Sequence, residues 1–215
     1  MKKVLSTEAT AYIKKGRETT YEYIDLLYRK DWKFDTKQNG VKVYTLTDTS
    51  NSSHYLRTET KYEDIEIPAL IEYFTNIDKR MAWETNYESI EEIRTYPLDT
   101  KIFYFKLKQG GTVWSSGAAK DSLILTHGVE MMQNRGYYLT ALSVEHEDFP
   151  QQKKITRVES KMISNYFEPT ADGRGVKNIF IVEVTPAQST LSSFTSSPST
   201  TSGHQNLNAA KDINF

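Results

Sequence analysis

One long amphipathic helix followed by a procession of strand-length runs is the pattern that most limits what this chain can fold into. Residues 7–30 repeat Tyr12, Ile13, Tyr21, Ile24, Leu27 and Tyr28 at roughly helical spacing. After Trp32 the pattern shortens into alternating runs about Gln38-Asn39-Gly40, and Asn-Gly favours the positive backbone angles of a tight hairpin. Residues 41–46 and 54–60 then read as paired strands. Pro68 suits the first turn of a helix, where its missing N–H costs nothing, and Ala69, Leu70, Ile71, Tyr73 and Phe74 continue it. A second short helix is expected to carry Arg80 and Trp83. Strands are expected at 89–95, 101–108, 121–131, 137–144, 156–166 and 176–184. The run Ile102-Phe103-Tyr104-Phe105 is apolar on both faces, which suits a sheet with a helix on one side and a cavity on the other.

A length of 215 residues with 38% hydrophobic side chains is enough for one core of ordinary size. Residues 1–187 read as that domain. The 27 basic and 28 acidic residues leave a net charge of −1, so no concentrated positive field exists for nucleic acid, and any membrane contact must be local. Cysteine is absent, which removes disulfides and thiolate metal sites. Ser6, Thr7, Glu8 and Thr10 interrupt the start before an apolar stretch of signal-peptide length accumulates, and no run of about eighteen apolar residues follows. A cytoplasmic location is the expectation. Residues 188–202, Q-S-T-L-S-S-F-T-S-S-P-S-T-T-S, bury too little apolar surface to offset their ordering entropy, so 188–215 reads as a poorly ordered tail.

Catalytic patterns are missing. His54, His127, His146 and His204 are scattered without metal-ligand spacing. Gly110-Gly111 and Gly117 precede no G-K-[ST] and read as a loop between strands. No G-x-S-x-G elbow occurs. Glu145, Glu147 and Asp148 read as a solvated turn before Pro150. The chain therefore reads as a non-enzyme with no metal and no cofactor.

Several short motifs converge on one family. Arg80-x-x-Trp83-Glu84 resembles the R-x-x-W-D signature of START lipid-transfer domains, with glutamate for aspartate. Ser143-Val144-x-His146, Pro150 and Arg157 resemble that family's S-V-x-H, Pro and Arg spacing, and the order of elements matches over about residues 7–187. The resemblance implies an α+β helix-grip fold, a curved antiparallel sheet wrapped about a cavity that holds one lipid. It also implies a C-terminal lid helix, which the composition of the tail does not supply.

The resemblance marks Arg80, Trp83, Glu84, Phe103, Tyr104, Phe105, Ser122, Arg157 and Lys161 as the candidate lipid-binding residues. Arg80 and Glu84 stand where phosphatidylcholine carriers place an Arg and acid pair that reaches the headgroup phosphate. Tyr104 falls near one member of their aromatic choline cage, whereas Ser122 and Lys161 stand at the other cage positions, leaving the cage incomplete. Phe105 and Thr126 replace the buried Glu and Arg of cholesterol-binding members, so a phospholipid is favoured over a sterol. Lys120-Asp121-Ser122 departs from the usual R-D-F or R-D-Y.

The same residues have plainer readings. Trp83 suits a core anchor between helix and sheet, Arg80 with Glu84 an i,i+4 pair, and Arg157 a strand-surface charge. Phe103 and Tyr104 point to opposite faces, so at most one lines a cavity. Two functions follow. One is a carrier or sensor that encloses a single lipid and docks transiently on membranes; the other is a protein-interaction module whose cavity has filled with side chains.

Overall fold

A computed structural model describes residues 5–108, 119–131 and 136–184. Helix α1 (Thr7–Tyr28) opens with Ser6 as its cap, the Ser6 hydroxyl accepting from the Ala9 N–H at 3.1 Å, and Glu8 favours the positive end of the helix dipole. Its buried face is not the stripe of large side chains that the spacing suggests. Ala9, Ile13, Gly16, Thr20, Tyr23 and Leu27 face the sheet, whereas Tyr21 and Tyr28 are exposed. Small and hydroxyl-bearing residues let the helix lie close. Gly16 stands over His127, the Thr20 and Thr140 hydroxyls meet at 3.0 Å, and the Tyr23 hydroxyl donates to the Ile179 carbonyl at 2.6 Å.

The strands are β1 (Lys33–Gln38), β2 (Val41–Asp48), β3 (Ser53–Glu63), β4 (Tyr87–Tyr96), β5 (Thr100–Leu107), β6 (Ala119–Met131), β7 (Gly136–Ser143), β8 (Ile155–Arg157), β9 (Ile163–Pro169) and β10 (Gly175–Val184). Nine follow one path, β1-β2-β3-β10-β9-β7-β6-β5-β4, with antiparallel neighbours throughout, and β8 joins β6 in parallel. The last of the described strands, β10, therefore sits between β3 and β9. The β1–β2 turn is the expected one, with Asn39 and Gly40 both at positive φ.

The strand expected at 156–166 is two strands. β6 begins before its pairing with β7 ends at Ile124 and Ser143, and β8 takes the open place beside residues 119–121. The chain then crosses the end of β7, where Ser160 bonds to Ser143 through both its carbonyl and its N–H at 2.8 Å, and returns as β9 on the far edge of β7. Two neighbours, on opposite sides of one strand, cannot be served by a continuous run.

Between the hairpins and β4 lie α2 (Ile67–Thr75) and α3 (Ile77–Met81), with Pro68 in the first turn of α2. Asn76 caps α3 by accepting from the Lys79 N–H at 3.0 Å. Trp83 lies beyond α3 rather than on it. The glycine-rich loop near residue 110 and the Ser/Thr-rich tail fall outside the described residues, as does any lid that the tail forms.

The sheet has two working faces. One carries Ile102, Tyr104, Leu123, Leu125, Tyr138, Tyr166, Ile179 and Ile181 and packs partly against α1. The other carries Phe103, Phe105, Ile124, Leu139, Phe167 and Phe180, and α2 packs Leu70, Ile71 and Phe74 against part of it.

Candidate functional site: an apolar cavity with a few polar groups

The second face of the sheet and the α2–α3 segment enclose a cavity. Its wall is built from alternate residues of five strands: Thr58, Thr60 and Tyr62 of β3, Phe103 and Phe105 of β5, Ile124 and Thr126 of β6, Leu139 and Ala141 of β7, and Ile163 and Asn165 of β9. Asn178 and Phe180 of β10 with Tyr87 and Ile90 of β4 complete the sheet side, and Phe74, Thr75, Ile77, Arg80, Trp83 and Glu84 form the opposite rim. The period of two along each strand puts every second side chain inside. The cavity measures about 150 Å³, within about 1230 Å³ of atom-free space that runs out to solvent. The first figure is below the roughly 300–1,000 Å³ of common ligand pockets, because aromatic rings crowd one wall. Tyr87 and Phe105 stand 4.9 Å apart between ring centres, and Phe103 and Phe105 6.2 Å.

Arg80 is the cation of the rim. Its guanidinium lies 5.1 Å from the Phe105 ring centre and 5.5 Å from that of Tyr87, so two aromatic rings already hold its charge. One long hydrogen bond from Nη1 reaches the Phe74 carbonyl at 3.4 Å, and the buried Nε has no partner. Glu84 is buried, and its backbone N–H donates to the Arg80 carbonyl at 2.9 Å. Burial pushes its carboxyl above the usual range, against the opposing pull of Arg80 and hydrogen bonds from Asn86 at 3.4 Å. Trp83 both lines the cavity and anchors the segment: its Nε1 donates to the Tyr73 carbonyl at 3.2 Å, and its ring meets Phe74 edge-on at 5.9 Å.

Of the nine residues singled out in the sequence, Arg80, Trp83, Glu84, Phe103 and Phe105 line this cavity. Ser122 stands opposite Phe105 on the same sheet face, buried, but is not among the lining residues. Tyr104, Arg157 and Lys161 are elsewhere. Tyr104 alternates to the α1 side, donates to Asp121 Oδ2 at 3.0 Å and packs against Phe149 at 5.5 Å. Its hydroxyl is raised to about 12 by burial and by the Asp121 carboxylate. Arg157 clamps the same Asp121, so it is a paired and mostly buried residue rather than a surface charge. Lys161 points to solvent with 81% of its side chain exposed and pairs with Glu183 at 3.0 Å. Strand parity separates Tyr104 from the cavity, Arg157 is drawn to Asp121 on the same α1 side, and Lys161 lies between β8 and β9.

The sequence reading missed a polar pair in the cavity wall. Asn165 and Asn178 each precede a phenylalanine by two residues, and the β9–β10 register sets each Asn opposite the other's Phe, Asn178 with Phe167 and Phe180 with Asn165. Asn178 Nδ2 donates to Asn165 Oδ1 at 3.0 Å, while its own Oδ1 is buried without a partner. The repeated N-x-F in successive strands was the available signal. Tyr62, beside this pair, is raised to about 12 by burial, an interaction with Asn178 opposing the shift.

Comparison with known proteins agrees with this architecture. Human STARD10 is similar in structure at a TM-score of 0.66, with 15% identity over 87% of this chain and 70% of that one. Human StAR-related lipid transfer protein 5 gives 0.66 at 15% identity, covering 80% of this chain and 81% of that one. The lipid transfer and protein localization domain of human StarD13 (DLC2) gives 0.63 at 14% identity, covering 98% and 95%. At such identities the likeness speaks for the fold alone. No curated protein matches by sequence. The START domain family model matches residues 25–191. A match of that model across most of its length, on a fold shared with those structures, makes this chain a member of the START domain family.

Proposed function

We propose that the protein binds one lipid in this cavity and carries it between membranes or reports its presence, without catalysis. The observation that carries the reading is the combination of an apolar wall with buried polar atoms left unpaired at Arg80 Nε and Asn178 Oδ1. Unpaired buried polar atoms cost about 1–3 kcal/mol each, a cost that a ligand's polar end removes on binding. Arg80, Trp83, Glu84, Phe103 and Phe105 are the proposed contacts, with Arg80 facing a phosphate or carbonyl and the rings packing on the acyl chains. A phospholipid is favoured over a sterol, because Phe105 and Thr126 bring no charged pair to the wall.

Enclosure matters because a lipid of about thirty methylenes exposes apolar surface worth on the order of 25 kcal/mol, at about 0.8 kcal/mol for each. About 150 Å³ takes only part of such a molecule, so full loading requires the rim at α2–α3 to open, as transient docking on a bilayer surface would favour. A cytoplasmic carrier is the proposed setting. No helix among the described residues is long and apolar enough to cross a membrane.

The crowding by aromatic rings favours a second reading, a protein-interaction module with a closed cavity. Native mass spectrometry after incubation with mixed liposomes separates the two. A stoichiometric lipid adduct is the expected result. A bare protein mass under conditions that load a control carrier supports the closed module instead.

A further inference from the structure

We infer that the cavity selects lipids whose head group donates hydrogen bonds, through an O–H or N–H, and discriminates against choline head groups. This rests on the lipid reading above and specifies its ligand.

The first observation concerns the aromatic rings. A choline group is held by several ring faces acting together on a quaternary ammonium. In this cavity the faces of Tyr87 and Phe105 already hold the Arg80 guanidinium at 5.5 and 5.1 Å. A second cation placed there would displace Arg80 or lie against it. Tyr104, the ring that the family resemblance offers for a cage, is on the far side of the sheet and tied to Asp121.

The second observation concerns the unpaired atoms. Asn178 is 6% exposed and lines the cavity; its Nδ2 donates to Asn165 Oδ1, its amide also interacts with the Tyr62 hydroxyl, and its Oδ1 is left without a partner. A lone buried carbonyl oxygen is satisfied only by a donor. Thr60, opposite Asn178 in the β3–β10 register, and Thr58, opposite Phe180, extend the polar strip with hydroxyls able to accept as well as donate. Arg80 Nε supplies the complementary donor at the rim. A head group that both accepts and donates satisfies both ends. Phosphatidylcholine has acceptors but no donor, so it leaves Asn178 Oδ1 orphaned.

The test uses the full-length protein and liposomes of equal parts phosphatidylcholine, phosphatidylethanolamine and phosphatidylglycerol with identical acyl chains, read by native mass spectrometry. Ethanolamine matches choline in net charge and differs in having N–H donors, and glycerol supplies O–H donors. Each is expected to exceed choline in bound lipid by about tenfold, the worth of one buried hydrogen bond that is made rather than lost. In N178L both ratios are expected to fall toward one. Because the wild-type ratios need no variant, a poorly folding N178L leaves the inference fully exposed to them. Ethanolamine or glycerol lipid loading no better than choline lipid overturns the inference and leaves the carrier reading standing. No adduct with any of the three overturns both.

Discussion

Arg157 grips Asp121 through two parallel hydrogen bonds, Nε to Oδ1 at 2.7 Å and Nη2 to Oδ2 at 3.1 Å, across the short parallel pairing of β8 with β6. The acid is 1% exposed at its side chain and also accepts from the Tyr104 hydroxyl, and the Val158 N–H bonds to its backbone carbonyl at 2.7 Å. Three residues of β8 are too few to hold a strand by pairing alone, so the ion pair fixes the turn that precedes the crossover to β9.

R157A leaves a buried carboxylate without its cation and is expected to destabilise the fold by about 3–5 kcal/mol. The midpoint of urea denaturation measures this. Replacing both partners, in R157M/D121L, is expected to recover much of the loss, because the single variant suffers from the orphaned charge rather than from the missing bond. A double variant no better than R157A would count against that account.

Gly16 is a close-approach position rather than a flexible one. A methyl there would stand 2.5 Å from His127 Cβ and 2.7 Å from its Cγ, nearer than carbon atoms pack. Alanine gains about 1 kcal/mol of helix propensity over glycine, yet G16A is expected to lower stability by about 1–3 kcal/mol overall, as overpacked cores do. Thermal melting followed by circular dichroism gives the sign. A stabilised G16A would mean that α1 lifts freely from the sheet.

His127 makes the same contact sensitive to acid. It is buried beneath α1 with Nδ1 2.8 Å from the Thr100 hydroxyl. Burial, and then the positive charge of Arg17, lowers its pKa below the usual 6.5, with Asp99 opposing. The unfolded chain therefore binds more protons than the native one below about pH 6.5, and stability is lost as the pH falls through the folded pKa. Urea midpoints between pH 7.5 and 5.5 are expected to fall in the wild type and to fall less in H127Q.

Arg80 contributes to binding more than to folding. Its hydrogen bond to the Phe74 carbonyl is long, at 3.4 Å, and its buried Nε has no partner. R80A is therefore expected to leave the melting temperature within a few degrees and to cut lipid loading by about tenfold. R80K keeps the charge but not the planar stack on Tyr87 and Phe105 and is expected to fall between the two. Native mass spectrometry on matched liposomes gives the ranking.

Much of the architecture was legible because it is written in periods. The Asn39-Gly40 hairpin, the proline-opened α2 and most strands follow from local pattern to within a few residues. What escaped was decided by long-range neighbours. The helix α1 buries Gly16 and Thr20 because His127 and Thr140 lie beneath them, over a hundred residues away. The break between β8 and β9 depends on where β7 ends. The candidate site was half legible for a similar reason. Residues 80–84 sit together on one rim and were found together, whereas strand residues divide by parity, which sent Phe103 and Phe105 inside and Tyr104 out. Asp121 is the acid that Lys120-Asp121-Ser122 keeps from the family motif, and only the structure shows that it ties Tyr104 to Arg157.

The place of β10 bears on how the chain is made. Its ten residues run along β3 from Gly175 opposite Glu63 to Val184 opposite His54, while its other edge pairs with β9. Until it arrives, the strand path is two separate ribbons, β1–β3 and β4–β9, each ending in an unpaired hydrophobic edge. A ribosome delivering the chain from its N-terminus releases this keystone after the nine other strands of the described residues have emerged, and sequence-distant pairing of this kind is slow. During that interval both edges are templates for foreign strands. A nascent chain stopped before residue 175 should therefore depend on chaperones, and a synthetic β10 peptide supplied in trans should rescue it.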